Sequence, residues 1–410
     1  MIVRDPVHGD IELTAEEREL LDSPVVQRLR YIRQLGTAHL VYPGCTHTRF
    51  DHSLGTLHTA AKILAALEKK GHKVAADEAR VIRMAALVHD VTHIPFGHTF
   101  EDERKVFPRH DTPERLRRFL LEGELGALLA RFGVARRVYD MIASPSDWQA
   151  QVVSGTLDAD LLDYLRRDSY FAGLSQRYDD RVFSYFCIEN GQLAVDFAKR
   201  GLERYDARSE ITHLLRMRYF LTERVYFHHA KVISGAMVSK ALELATEFGV
   251  TEADLYGMGD ETLLSFLEGS GSKECAELVR RVRARRLYKR AFAVTHQGTT
   301  EAVRDELVAR FHADMHRRRE LEGRIAERAG VPGFHVIVYC PAKSALKEAT
   351  ILARLPEGVR SLSEVPHLEL DALKEQYARI WRFWVFGPEG MERAIGKAAE
   401  EVLGIENELK

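Results

Sequence analysis

The chain has 410 residues, 45% of them hydrophobic, so it is long enough for two domains and a large buried core. Acidic and basic residues nearly balance, with a formal net charge of −2, which argues against a protein that coats nucleic acid. The four cysteines lie far apart without a CxxC pair, which favours a reduced, cytoplasmic protein over a disulfide or cysteine-zinc scaffold. The N-terminus does not resemble a signal peptide and no apolar run of about eighteen residues occurs, so we expect no membrane contact.

Helical periodicity dominates the chain up to about residue 285. A first helix is predicted from Ser23, as the N-cap, and Pro24, as the first helical residue, up to Gly36. A second helix is predicted over 52–70, where Gly71 closes it. Further helical patterns cover 77–91, 112–122, 124–132, 134–143, 157–172 and 208–247.

From about residue 286 strand-like segments alternate with helical ones. Strands are predicted at 290–296, 334–340, 349–355 and 379–386, and helices at 301–329, 367–377 and 389–404. The sequence therefore predicts a mainly α protein. An all-helical bundle at residues 1–288 is followed by a smaller α+β C-terminal domain at 289–410.

The segment at 89–98 is the most informative part of the chain. It follows an apolar helical run and contains an adjacent pair, His89-Asp90, and two more histidines, His93 and His98. A buried His-Asp pair is unfavourable unless something satisfies it, and a divalent metal does so. Taken alone, such a dipeptide is usually a capped or surface feature.

Two more candidate metal ligands lie on helical segments. His52 stands at the start of the predicted helix over 52–70, and Asp160 lies in the pattern at 157–172. A catalytic metal site usually has three or four protein ligands, and helices of a bundle can bring such side chains together. The order H…HD…D, formed with His89 and Asp90, is far more specific than the pair alone.

At these residues the sequence resembles the HD-domain phosphohydrolases, and within them the dNTP triphosphohydrolase branch. The segments that carry the resemblance include His47-Thr-Arg-Phe-Asp-His-Ser-Leu-Gly55 and the one at 89–98, together with 5–13, 27–36, 41–44, 158–168, 224–228 and 286–289. The resemblance covers about residues 1–290. It implies an HD-domain bundle with His52, His89, Asp90 and Asp160 as ligands of a divalent ion, with Mg, Mn, Fe, Co, Ni and Zn not distinguished.

The same resemblance implies a catalytic group beside the metal. It makes His98 the general acid for the nucleoside 5′-oxygen, and Glu101 the residue that orients His98. His93 and His110 are implied as contacts to the α-phosphate. His110 and Asp111 together resemble the phosphate-binding His-Glu pair of the family. An alternative for His98 is a residue that caps a turn.

Further substrate contacts are implied by the resemblance. They are Gln34 at the 3′-hydroxyl, Arg49 at a phosphate, Tyr164, Asp168 and Tyr226 at sugar or phosphate, and Arg224 and Lys231 at the outer phosphates. Both tyrosines could equally be core residues. Leu161 stands where a human member of the branch has lysine, so one phosphate contact is absent or replaced.

A nucleotide-activator site is also implied, because Asp22, Gln27 and Arg30 match the residues that read guanine in the family. Arg4 and Asp10 depart from that pattern, replacing Asn and His. Such sites lie between subunits, so activation would imply a homo-oligomer, either a dimer or a tetramer. The alternative is a turn or cap residue at Asp22 and a surface arginine at Arg30.

The function that the resemblance implies is metal-dependent hydrolysis of a dNTP to deoxynucleoside and triphosphate, with no requirement for nucleic acid. Two alternatives stay open. One is an HD phosphohydrolase of other specificity, namely a nucleotide monophosphatase, a phosphodiesterase or a nuclease. The other is a nucleotide-sensing regulatory protein whose C-terminal domain engages a partner.

Overall fold

A computed structural model describes residues 1–343, 346 and 350–409. The protein is 58% helical, with small sheets, so the predicted mainly α fold with an α+β C-terminal part is confirmed. The helices are α1 Ala15–Leu21, α2 Pro24–Gln27, α3 Arg49–Lys69, α4 Ala76–Val88, α5 Pro113–Leu120, α6 Gly123–Arg131, α7 Ala135–Ala143, α8 Trp148–Ser154, α9 Ala159–Phe171, α10 Tyr205–Leu221, α11 His229–Thr246, α12 Glu252–Leu255, α13 Asp260–Glu268, α14 Lys273–Arg283, α15 Glu301–Leu307, α16 Met315–Ala329, α17 Leu368–Arg379 and α18 Glu392–Leu403. The strands are β1 Ile2–Asp5, β2 Gly9–Glu12, β3 Phe186–Glu189, β4 Gln192–Asp196, β5 Ala198–Lys199, β6 Leu202–Glu203, β7 Lys289–Thr295, β8 Ile337–Tyr339, β9 Leu352–Leu355, β10 Gly358–Ser361 and β11 Arg382–Gly387.

Helix α3 is the centre of the N-terminal bundle and packs against both α4 and α9. It begins with a capping box, in which the Thr48 side chain accepts from the amide of Asp51 and the Asp51 carboxylate accepts from the amide of Thr48. Most of its residues are buried, including Leu54, Leu57 and Leu64. Helix α9 is capped by Asp158, whose side chain accepts from the amide of Leu161.

The predicted helix over 24–36 is wrong beyond its first turn. Helix α2 passes into a 3-10 turn at Arg28–Tyr31, and Ile32 is extended. The amides that would continue the helix have other acceptors, because that of Arg33 donates to the Asp260 carboxylate and that of Gln34 to the carbonyl of His47. This extended stretch lies beside the start of α3.

The single helix predicted over 208–247 is two helices, α10 and α11, separated by a π-helical turn at Thr222–Tyr226. His228 caps α11, accepting from the amide of Ala230. The sequence has no proline or glycine in the turn, so its periodicity runs through the break. The break brings the hydroxyl of Tyr226 within 2.6 Å of the Asp168 carboxylate.

The two parts of the chain share a sheet with strand order β10-β9-β4-β3. Strand β9 pairs in parallel with β4, and β3 and β4 were not predicted from the sequence. The predicted strand over 349–355 is found from Leu352 on, and residue 349 lies outside the described residues. The domain boundary between 288 and 289 stays a prediction.

The remaining C-terminal strands form a sheet of order β7-β11-β8, packed against α16 and α18. A second hydrophobic cluster joins this sheet to the bundle, because Phe96 and Phe100 belong to the same buried cluster as Met237, Ile337 and Trp384. In the part of the chain that the structure covers, no helix has the length and apolar character needed to cross a membrane.

Candidate metal centre

The four predicted ligands lie at one point of the bundle. His52 is in the first turn of α3, His89 and Asp90 follow the end of α4, and Asp160 is in the first turn of α9. His52 Nε2 lies 2.9 Å from Asp160 Oδ1 and 3.9 Å from Asp90 Oδ2. His89 Nε2 lies 3.6 Å from Asp90 Oδ1 and 3.9 Å from Asp160 Oδ1. The packing of α3 on α4 and α9 therefore produces this convergence.

The two histidines fit the role of metal ligands. His89 Nδ1 lies 2.8 Å from the carbonyl of Ala86, which only accepts, so Nδ1 carries the proton and Nε2 a lone pair. That Nε2 is buried and has no hydrogen-bond partner. His52 Nδ1 lies 2.7 Å from the Asp163 carboxylate. Metal-binding histidines usually donate their second ring N–H to a carbonyl or carboxylate in this way.

Electrostatics favour a positive charge at the centre. Burial lowers the pKa of His52, but the Asp160 and Asp163 carboxylates outweigh it and raise that pKa to about 10. Burial works against ionisation of Asp90, yet Arg49 and the neighbouring histidines hold its pKa well below the usual range. Two imidazoles and two ionised carboxylates form a donor set that suits several divalent ions. The residues present therefore fit the cofactor that the sequence predicts.

A buried network behind His52 holds its ring in place. Asp163 accepts from His8 Nε2 at 2.6 Å as well as from His52, and it receives two hydrogen bonds from Arg167. Arg167 also bonds Asp5 at 2.8 Å, so the N-terminal hairpin takes part. Sequence reasoning assigned none of these residues a role. The signals were present, since Asp163 lies three residues after Asp160 on the same face of α9.

Three histidines form a second cluster beside the metal centre. The ligand atoms of His93, His98 and His110 all lie within 4.8 Å of one another, and the rings of His93 and His110 stack at 3.7 Å. His93 Nε2 lies 3.2 Å from Asp90 Oδ1, which connects the cluster to the predicted metal ligands. Burial holds the pKa of His93 well below its usual value and lowers that of His110, so both are neutral near pH 7.

The acidic partners of these histidines differ in part from the prediction. Glu101 Oε2 lies 2.9 Å from His110 Nδ1 but 3.8 Å from His98 Nδ1, so Glu101 is the partner of His110 and not of His98. The carboxylate nearest to His98 Nδ1 is that of Asp102, at 3.1 Å, because the two acids lie on successive positions of a π-helical turn. Asp111 is exposed and bonds Arg109, outside the cluster. His98 is half exposed.

A cavity of about 550 Å³ opens next to Asp160. Tyr164, Leu161 and Arg218 line it, together with Thr350 from the C-terminal part. The Tyr164 hydroxyl is buried without a hydrogen-bond partner, and the Arg218 guanidinium lies 5.5 Å from the ring centroid. Arg218 and Thr350 were not predicted, because in the sequence one is an ordinary helix arginine and the other lies far from every motif.

Other predicted contacts surround the centre. Arg49 is buried and donates to Asp90 Oδ2 at 2.7 Å. Asp168 accepts from Tyr226 and lies 2.8 Å from His47 Nε2. Gln34 Oε1 is buried with no hydrogen-bond partner.

The remaining predicted residues lie elsewhere. Arg224 is exposed and packs over the Phe220 ring, and Lys231 pairs with Glu103 at 3.1 Å. In the candidate activator site, Arg30 donates to Gln27 Oε1 at 2.8 Å and stacks on Phe50. Asp22 is exposed in the turn before α2 and lies 4.0 Å from Arg18.

Comparisons with known proteins agree with this geometry. The model of the HD domain matches residues 49–168, and that of the HD associated region matches 210–410. An uncharacterized protein of Methanocaldococcus jannaschii is 31% identical over 396 residues, covering 95% of this chain and 79% of that protein. The deoxynucleoside triphosphate triphosphohydrolase SAMHD1 of Homo sapiens is 27% identical, covering 60% of this chain and 45% of that protein. The homolog in Dictyostelium discoideum is 26% identical, covering 70% and 59%.

The chain thus spans about half the length of these curated triphosphohydrolases. Two crystal structures share the fold. One is of a phosphohydrolase from Bacteroides thetaiotaomicron VPI-5482, with a TM-score of 0.70, 22% identity and coverage of 95% of this chain and all of that one. The other is of a hypothetical protein from Aquifex aeolicus, with a TM-score of 0.72, 23% identity and coverage of 97% and 99%. Because the family models and the relatives agree, the chain belongs to the HD-domain phosphohydrolases.

Proposed function

We propose that the protein is a metal-dependent dNTP triphosphohydrolase, which cleaves a dNTP into deoxynucleoside and triphosphate. The observation that carries the proposal is the contact between the two clusters. His93, in the histidine cluster, lies 3.2 Å from Asp90, one of the four metal ligands, so a phosphoryl group can face both at once. The dNTP-cleaving relatives supply the substrate class.

The reaction needs water to attack the α-phosphorus while the bond from phosphorus to the 5′-oxygen breaks. His52, His89, Asp90 and Asp160 would hold a divalent ion, which would supply Lewis-acid stabilisation of the charge on the phosphoryl oxygens. The leaving 5′-oxygen takes a proton and departs with the nucleoside, and the α-phosphate remains in the triphosphate.

His98 is the proposed proton donor. Its Nδ1 lies 3.1 Å from Asp102, which orients the ring and leaves Nε2 to serve the 5′-oxygen. The guanidinium of Arg49 donates to the α-phosphate, and the neutral rings of His93 and His110 border it with their single N–H groups directed at Asp90 and Glu101. Arg49 reaches this position because Gly97 has no side chain, and a Cβ there would lie 2.4 Å from Arg49 Nη2.

The outer phosphates are proposed to lie in the cavity beside Asp160, with Arg218 and Tyr164 as donors.

The test of the proposed function is a hydrolysis panel of all four dNTPs with Mg²⁺, Mn²⁺ or Co²⁺, each with and without GTP or dGTP. Chromatography that detects deoxynucleoside and triphosphate supports the proposal. Intact dNTPs in every combination refute it.

One observation favours a second candidate, a phosphohydrolase that acts on nucleoside monophosphates. Among the described residues that line the cavity, Arg218 is the only cation, whereas Asp158 and Asp160 are acidic and Leu161 is apolar. That lining offers little charge compensation to three phosphates. Release of inorganic phosphate from dNMPs, with dNTPs left intact, would favour this candidate.

Regulation and assembly are proposed from the same resemblance. Asp22, Gln27 and Arg30 would bind an activating nucleotide between subunits of a cytoplasmic dimer or tetramer. Sizing by light scattering, with and without GTP, tests this part separately. A monomer under both conditions would exclude an activator site shared between subunits.

A further inference from the structure

The segment at 91–104 carries His93, His98 and Glu101 on irregular backbone. Phe96 has a φ of 60°, which is unusual for a bulky residue, and Gly97 follows with a φ of 48°. Residues Thr99–Glu103 form the π-helical turn. Backbone of this kind persists only where its surroundings hold it, so the contacts at its two ends are informative.

The first end is held by Asp260, the first residue of α13. Its buried carboxylate accepts from the amide of Phe96 at 2.8 Å and from the amide of Arg33 at 3.0 Å. Arg28 completes the contact, because its buried guanidinium donates to the carbonyls of Val91 at 2.9 Å and His93 at 2.8 Å. The same guanidinium donates to the carbonyl of Met258, just before α13.

The second end is held by Arg104, which is fully buried. Its guanidinium donates to Glu322 Oε1 at 2.8 Å, to the carbonyl of Val338 at 3.1 Å and to Glu243 Oε2. The carbonyl of Arg104 accepts from Arg318. Glu243 lies on α11 and Glu322 on α16, so two distant helices converge on this one residue.

The partners of the loop and the metal ligands come from different parts of the chain. The four metal ligands all lie within 49–168, the HD domain, whereas Asp260, Glu243 and Glu322 lie within 210–410, the HD associated region. We propose that the HD associated region positions the histidine-bearing loop at two anchors and contributes no metal ligand. The first anchor is Asp260, and the second is Arg104 of the loop, held by Glu243 and Glu322. Asp260 and Arg104 are positioning residues.

This division predicts that the anchors affect turnover and leave the metal bound. The measurement of turnover in this test rests on the proposed function, but the measurements of metal content and hydrogen exchange do not. If no nucleotide is hydrolysed, the proposed function fails while those two measurements still decide the inference.

The principal test is Asp260→Asn. The amide has one acceptor oxygen, so it can serve Phe96 or Arg33 but leaves the other amide unpaired. We expect kcat to fall about 10- to 100-fold, with KM changed by less than about threefold and metal content at the wild-type level. Hydrogen exchange should quicken in peptides covering 91–100 and 32–34, and not in those from α3 or α9.

The matched control is Glu261→Gln, at the next residue. Glu261 is exposed and bonds the Arg33 guanidinium at 3.3 Å. Like Asp260 it contacts Arg33, but unlike Asp260 it does not bond the loop at Phe96. Its kcat should stay within about twofold of the wild type. A comparable loss in this control would show that the effect belongs to the surface of α13 and would overturn the proposal.

Arg104→Met tests the second anchor independently. It leaves Lys240 and Arg318 facing Glu243 and Glu322, so the remaining buried cluster is balanced in charge. The same pattern of lower kcat, retained metal and local exchange is expected. Wild-type kcat in both anchor variants, metal loss in step with kcat, an even rise of exchange along the chain, or failure of both variants to fold would each overturn the proposal.

Discussion

Replacing Asp163 by Asn is the sharpest test of the network behind His52, a proposed metal ligand. The carboxylate is fully buried and accepts from His52 Nδ1 at 2.7 Å, His8 Nε2 at 2.6 Å and Arg167 at 2.8 and 3.0 Å. These partners hold its pKa well below the usual range, so it is ionised. Asn keeps the shape, removes the charge and turns an N–H₂ group towards at least one of these donors.

The substitution should lower both the stability of the fold and the affinity for the metal. Removing one partner of a buried ion pair typically costs about 3–5 kcal/mol, and Arg167 would keep only Asp5. Losing the carboxylate that orients a metal-binding histidine typically weakens metal affinity about 10- to 100-fold. We therefore expect Asp163→Asn to lower the urea midpoint and to lose metal during dialysis against a weak chelator, with metal content read by mass spectrometry.

The control is Asp180→Asn, which also removes a carboxylate paired with an α9 arginine. Asp180 is 57% exposed and bonds Arg166 at 2.7 Å and Lys62 at 2.8 Å. Exposed pairs contribute at most about 1 kcal/mol, so this variant should stay near the wild type. If Asp163→Asn matches the control in both stability and metal retention, the assigned role of the network is refuted.

Three further outcomes are expected. Gly55→Ala should destabilise the protein by about 1–3 kcal/mol in urea titrations, since its Cβ would lie 1.9 Å from the Asp163 carboxylate, whereas Gly323→Ala, with open space around it, should be neutral or stabilising. Arg218→Gln should raise KM for the hydrolysed nucleotide about tenfold with little change in kcat, because the cavity loses its cation; an unchanged KM would remove Arg218 from the phosphate site. Burial, with His8 and Lys62 nearby, lowers the pKa of His58 to about 4. The unfolded chain therefore takes up a proton on His58 at a higher pH than the folded chain, and the free energy of unfolding should fall as the pH is lowered from 7 to 5. His58→Gln should flatten that part of the stability profile, and an unchanged profile would contradict the assignment.

The parts of the fold that the sequence predicted are those where local pattern and packing agree. Helices α3, α4 and α9 have apolar periodicity and clear ends, and they carry the four predicted metal ligands to one point. The helix predicted over 24–36 failed because the amide of Arg33 donates to Asp260, far along the chain, and that of Gln34 donates to the carbonyl of His47. A local sequence pattern does not indicate a hydrogen-bond acceptor that lies more than two hundred residues away, as Asp260 does.

The same limit applies to the site. The resemblance pointed to Glu101 as the partner of His98, yet the π-helical turn brings Asp102 closer, and no sequence pattern distinguishes these adjacent acids. Arg218 lies within α10 and lines the cavity, and no sequence pattern distinguishes it from the other arginines of that helix. Tertiary contacts, and not propensity, decide both positions.

We propose that a metal held by His52, His89, Asp90 and Asp160 supports cleavage at the α-phosphate. The most direct measurement is chromatography of the products from dGTP with metal-loaded wild type and with Asp160→Asn, alongside the metal content of each. We predict equal amounts of deoxyguanosine and triphosphate from the wild type, and loss of both metal and products in the variant. Release of dGMP or inorganic phosphate by the wild type, or full turnover by a metal-free variant, would contradict the account.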